Sequence, residues 1–140
     1  MTQNVSERKV AVAACTGLDQ PLGTVARMAG YKVLDHLRPD KTVLLCPPAL
    51  IAGVEEDIVF ARENPVLIID GCEKGCCEKM VHERGGKIAG VVRVTDVQKR
   101  NSDLRPESRR TLGPEGEKLA DLVAQLAAEE VDRILKEEGE

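Results

Sequence analysis

Short apolar runs alternate with longer segments of mixed polarity along this chain, and the spacing of apolar positions changes from one to the next. Lys9-Val10-Ala11-Val12-Ala13-Ala14-Cys15 lacks a helical period and reads as a strand covered on both faces. Residues 16–23 form a loop by their Gly and Pro content, and Thr24 suits the N-cap of a helix reaching about Leu37, with Val25, Met28, Ala29, Val33 and Leu37 as its buried stripe. Arg38-Pro39 ends that helix, because proline disfavours helical geometry in the residue before it. Thr42-Val43-Leu44-Leu45-Cys46 is a second strand, stopped by Pro47-Pro48. A helix follows from Ala49 to about Asn64, with Gly53 inside it pointing to a start as late as Val54. Val66-Leu67-Ile68-Ile69-Asp70 is the clearest strand, and the helix after it is expected from about Cys72 to Arg84, with Gly85-Gly86 as its stop.

The segment from Lys87 to Val97 reads as a fourth strand carrying Ile88, Val91, Val92, Val94 and Val97. Residues 98–113 are polar and basic and read as an exposed connection. Pro114 opens a last helix over 114–138, in which Leu119, Val123, Leu126, Ala127, Val131, Ile134 and Leu135 make an amphipathic stripe. That stripe suits packing on the sheet or on a second copy, so a homodimer is one reading. Four strand-helix alternations imply an α/β fold: a three-layer, open, mostly parallel four-stranded sheet with helices on both faces, of the Rossmann or flavodoxin type. With 140 residues, the expectation is a single domain with a polar leader over 1–8.

Composition narrows the function classes. One Phe, one Tyr and no Trp leave no stacking platform for single-stranded nucleic acid. A net charge of -4, with Asp103 and Glu107 interrupting the basic stretch, argues against nucleic-acid binding altogether. No apolar run approaches the roughly 20 residues of a membrane span, and the polar start lacks a signal-peptide core. The expectation is therefore a cytoplasmic protein without membrane or nucleic-acid partners. In a reducing compartment an odd set of five cysteines points to metal ligation or thiol chemistry, not to disulfides.

The cysteines are placed to act together. Ligands of open parallel sheets collect outside the carboxyl ends of the strands, and Cys15, Cys46 and Cys72 each occupy or follow such an end. Cys76, four residues beyond Cys72, joins from the first turn of a helix, whose N-terminal partial charge favours the thiolate form. Four thiolates suit tetrahedral zinc, and cysteine sulfur suits an iron-sulfur cluster equally. Cys77 points about 100° away from Cys76 around the helix and is either a core residue or a spare thiol able to exchange with the site. Asp70 either forms the turn or orients a ligand from behind. His36 and His82 read as ordinary helix residues. No acid-base set accompanies the thiols.

Asp70-Gly71-Cys72 after an aliphatic strand, with Cys76 four residues on, resembles the signature of the DGC-domain proteins, which are described as candidate zinc-binding proteins. The likeness extends to Cys15-Thr16-Gly17-Leu18, Pro21-Leu22-Gly23-Thr24, Arg27, Tyr31 and Cys46, and covers Val10 to Gly86. It implies four chelating cysteines, carried here by Cys15, Cys46, Cys72 and Cys76, and no established reaction. Cys77 departs from that pattern and leaves open whether it or Cys76 completes the set. The expected function is a small zinc-binding protein; the alternatives are a thiol, sulfur-transfer or redox enzyme or carrier, or an iron-sulfur protein. Expected partners are a metal ion and either a small thiol or sulfur compound or another protein.

Overall fold

The computed structural model describes residues 9–139, so the polar leader expected over 1–8 lies outside the described residues. Its four strands, β1 (Val10–Ala14), β2 (Thr42–Leu44), β3 (Val66–Asp70) and β4 (Ile88–Arg93), form one sheet in the order β2-β1-β3-β4, and every pairing is parallel. The two central strands are almost entirely buried, which is why they read as unbroken aliphatic runs. Ala14 pairs with Ile69 and Asp70 with Arg93, so the carboxyl ends of β1, β3 and β4 lie side by side. On the other side of β1, Leu45 N–H donates to the Val12 carbonyl at 2.9 Å and extends the short edge strand β2 toward Cys46.

Helices α1 (Pro21–Lys32), α2 (Pro47–Ile51), α3 (Glu55–Glu63), α4 (Cys76–Glu83), α5 (Val94–Lys99) and α6 (Gly113–Glu138) cover both faces. One core joins Val10, Val12, Leu67 and Ile69 to α1, α5 and α6; the other joins Ala11, Ala13, Val66 and Ile68 to α2, α3 and α4. The fold is therefore the expected three-layer parallel α/β arrangement. The last helix packs on α1 and the sheet through Leu119, Val123, Ala127, Val131 and Ile134, whereas Leu126 turns outward and is 37% exposed.

Several boundaries differ from the expectation, each for a local reason. Helix α1 begins at Pro21, which needs no N–H in the first turn, so Thr24 lies inside the helix and is no N-cap. Its hydroxyl instead donates to the Arg109 carbonyl at 2.5 Å and fastens the connection that precedes α6. The buried face of α1 is Val25, Ala26, Ala29 and Gly30, while Met28 faces outward. The helix ends in a π-turn over Val33–Leu37, closed by Arg38 N–H donating to the Val33 carbonyl. The helix expected from Ala49 to Asn64 breaks into α2 and α3 at Gly53, which holds φ of +86°.

Strand β4 ends at Arg93, and Val94 and Val97 bury themselves from one face of the short helix α5. A spacing of three serves a helix face as well as it serves a strand run, so the apolar pattern alone did not separate them. The connection from Arg100 to α6 is largely exposed, but Leu104 and Leu112 are buried and anchor it.

Candidate metal and thiol site

Parallel pairing brings Cys46, Cys15 and Cys72 to the same edge, because each follows the carboxyl end of one of three adjacent strands, β2, β1 and β3. Cys15 is tied in directly: its N–H donates to the Ile69 carbonyl at 2.8 Å, one residue before Asp70. Its Sγ accepts from the Gly17 N–H at 3.4 Å, and the residue is 8% exposed. Cys46 precedes α2 and is exposed, Cys72 is half-buried in the turn after β3, and Cys76 is the exposed first residue of α4. All five cysteines are free thiols. Among the described residues no three His, Cys, Asp or Glu side chains stand close enough together to enclose a metal ion.

The expected helix start at Cys72 moves to Cys76 because the intervening residues make a turn. Gly75 closes it with φ of +62°, a left-handed conformation that costs a side-chain-bearing residue about 1 kcal/mol. Asp70 fixes the first turn of α4: its carboxylate accepts from the Cys77 N–H at 3.1 Å and the Glu78 N–H at 3.2 Å. A residue at the end of β3 therefore caps α4 from outside the helix, satisfying two of the donors every helix N-terminus leaves open. Burial pushes the Asp70 carboxyl above its ordinary range, against the opposing pull of those two N–H groups. Across the edge, Arg93 Nη2 meets Glu78 Oε1 at 2.6 Å, so β4 also holds the first turn of α4.

Cys77 occupies the underside of α4. It is fully buried in the second core, and its S–H donates to the Ala13 carbonyl at 3.3 Å. Burial is the first cause that pushes its thiol well above the ordinary range, and the neighbouring Asp70 adds to it. Cys77 is thus the least nucleophilic kind of thiol, while Cys76 points out of the same turn.

Two glycines beside the cysteines, Gly71 and Gly23, serve close approach. A Cβ on Gly71 would stand 2.9 Å from Gly23 N and 3.0 Å from the Leu22 carbonyl carbon and oxygen. A Cβ on Gly23 would in turn strike the Gly17 carbonyl oxygen. The turn carrying Cys72 therefore packs backbone to backbone on the start of α1, and α1 packs likewise on the loop after Cys15. Arg27 binds this loop: Nη1 donates to the carbonyls of Cys15 at 3.2 Å and Gly17 at 2.9 Å, and Nη2 to Thr24 Oγ1 at 3.1 Å. Sequence reasoning assigned no role to Arg27, Glu78 or Arg93. An arginine closing an otherwise apolar strand was the signal for Arg93; nothing in the sequence pointed to Glu78.

Beside the loop lies a pocket of about 160 Å³ between α1 and β2, with Cys15 and Cys46 both in its lining. Two of the four candidate ligands thus share one cavity, and the other two flank the turn held by Asp70 and Gly71. The donor set suits zinc in number and type.

A family model described as DGC domain matches residues 11–115. No curated protein and no solved structure matches the chain. Among the described residues no helix is long and apolar enough to cross a membrane.

Proposed function

Because the chain belongs to the DGC-domain family, and four of its thiols follow the ends of three adjacent strands, we propose that it is a small metal-binding protein holding zinc through Cys15, Cys46, Cys72 and Cys76. The observation that carries this reading is the parallel order β2-β1-β3, which puts cysteines about thirty residues apart in sequence on one sheet edge. Zinc held by four thiolates has a closed shell and serves structure; with one ligand displaced, it would act as a Lewis acid toward a bound thiol. The chain's own residues set the geometry. Asp70 fixes the first turn of α4 and hence Cys76, Gly71 seats the Cys72 turn against α1, and Arg27 holds the backbone on both sides of Thr16.

The reading in which the thiols exchange sulfur directly needs Cys77 as the resolving partner, and burial of Cys77 counts against it. Cobalt substitution under anaerobic conditions tests the proposal. Thiolate-to-cobalt absorption with tetrahedral visible bands is expected, and brown protein containing iron and acid-labile sulfide would replace zinc with a cluster.

A further inference from the structure

The pocket between α1 and β2 combines apolar walls with one unbalanced cation. Val12, Leu34, Leu44 and Leu45 make it apolar, and among the described residues Arg27 is the one Lys, Arg, Asp or Glu in its lining. The Arg27 guanidinium is half-buried and bonds neutral acceptors only: Nη1 donates to the carbonyls of Cys15 at 3.2 Å and Gly17 at 2.9 Å, and Nη2 to Thr24 Oγ1 at 3.1 Å. Those bonds take both hydrogens of Nη1 and one of Nη2, which leaves Nε–H and the second Nη2–H without an acceptor among the described residues. The arginine is therefore held in place while its charge stays unmatched, and a charge partly withdrawn from water gains from an ionic partner. An amine would meet that cation with no carboxylate in the lining to offset it. A carboxylate matches it, because two acceptor oxygens answer donors on two neighbouring guanidinium nitrogens.

We propose that this pocket is a binding subsite for a short-chain aliphatic carboxylate, its oxygens on Arg27 Nε and Nη2 and its hydrocarbon tail between α1 and β2. The bonds from Arg27 to Cys15, Gly17 and Thr24 fix the guanidinium before the ligand arrives, so little side-chain freedom is left to lose on binding. A phosphate monoester would bring more negative charge, and the lining holds no second cation to meet it. At about 30 Å³ per water-sized group, a volume of about 160 Å³ admits roughly five non-hydrogen atoms, so propionate or butyrate fills it. The assignment uses Arg27 and the apolar walls, needs no metal ion at Cys15 or Cys46, and so goes beyond the metal reading.

The experiment titrates acetate, propionate, butyrate, octanoate, butanol, butylamine and butyl phosphate into the full chain at neutral pH and low salt, with zinc content measured on the same sample. The readout is the NMR shift of the Leu34 and Leu44 methyls, the Tyr31 ring and the Arg27 Nε–H. Saturable shifts are expected for the carboxylates, tightening roughly threefold to fourfold per added methylene up to butyrate and gaining little more at octanoate. Butanol and butylamine should bind at least about tenfold more weakly than butyrate, and butyl phosphate no more tightly. Arg27→Lys keeps the charge but loses the planar pair of donors, and should weaken butyrate by about tenfold while leaving butanol unchanged. Leu44→Ser should weaken butyrate roughly twofold to fourfold; Leu44 is 56% exposed, so its replacement leaves the core intact and reads the tail contact even if Arg27→Lys fails to fold. Absence of saturable shifts, equal binding of butanol, affinity that climbs steadily to octanoate, tighter binding of butyl phosphate, or unchanged binding in the variants would overturn the proposal. Zinc retained without carboxylate binding removes the subsite and leaves the metal reading standing, whereas butyrate binding by a chain that takes up no zinc keeps the subsite and removes the metal reading.

Discussion

Replacing Asp70 by Ala removes a side chain that joins the end of β3 to the start of α4. Two backbone donors lose their acceptor, Cys77 N–H at 3.1 Å in the core and Glu78 N–H at 3.2 Å in a half-buried position. Loss of a cap costs about 1–2 kcal/mol, and a buried N–H left unpaired costs about 1–3 kcal/mol. Against this stands relief of the burial that pushes the Asp70 carboxyl above its ordinary range. The net expectation is a loss of about 2 kcal/mol, which at this chain length lowers Tm by roughly 6–8 °C. Asp70→Asn keeps one acceptor oxygen and should lose about half as much.

The pH dependence has a definite sign. A carboxyl whose folded-state pKa lies above its unfolded value binds more protons folded than unfolded, so its contribution is fully present below the unfolded pKa and fades as pH rises through the folded one. Wild type minus Asp70→Asn should therefore decline with rising pH just above the ordinary carboxylate range. Thermal and urea unfolding of metal-free protein from about pH 3.5 to 7 measure both effects. A loss under about 0.5 kcal/mol for Asp70→Ala would refute the capping argument, and a difference that grows with pH in that window would refute the dominance of burial over the two N–H donors.

Other consequences are independent of that cap. Gly71→Ala should push the Cys72 turn off Leu22 and Gly23, lowering stability by about 1–3 kcal/mol and raising the zinc dissociation constant, both readable by unfolding and chelator competition. Gly75→Ala, at φ of +62°, should cost about 1 kcal/mol with little change in secondary structure. Cys77 should resist alkylation in the folded, metal-free chain while Cys46 and Cys76 react, because only the latter two are exposed; mass mapping after brief iodoacetamide treatment checks this. Gly30→Ala should raise stability by roughly 0.5–1 kcal/mol through helix propensity, since the added methyl meets only ordinary contacts.

The sheet was legible because its central strands are buried on both faces and leave short unbroken aliphatic runs, that of β3 bounded by Pro65 and Gly71. Val66–Asp70 was readable to the residue for that reason. Strand ends then located three thiols, Cys15, Cys46 and Cys72, without any knowledge of contacts. What the sequence could not show were interactions that depend on two distant segments meeting. The Gly23–Gly71 approach is backbone against backbone, and a glycine looks the same whether it serves a turn or a close contact. Asp70 looks like a turn former until the helix it caps is seen to begin six residues later, at Cys76. Cys76 and Cys77 are adjacent letters, and only the rotation of α4 about its axis separates the exposed thiol from the core one.

The most direct test of the central claim is zinc content, by atomic emission on protein purified without oxygen, for the wild type and the five single Cys→Ser variants. The account predicts about one zinc per chain in the wild type and in Cys77→Ser, and loss or sharp weakening in the variants at Cys15, Cys46, Cys72 and Cys76. Zinc retained undiminished after replacement of Cys46 or Cys76, or lost on replacement of Cys77 while that variant stays folded, would contradict it.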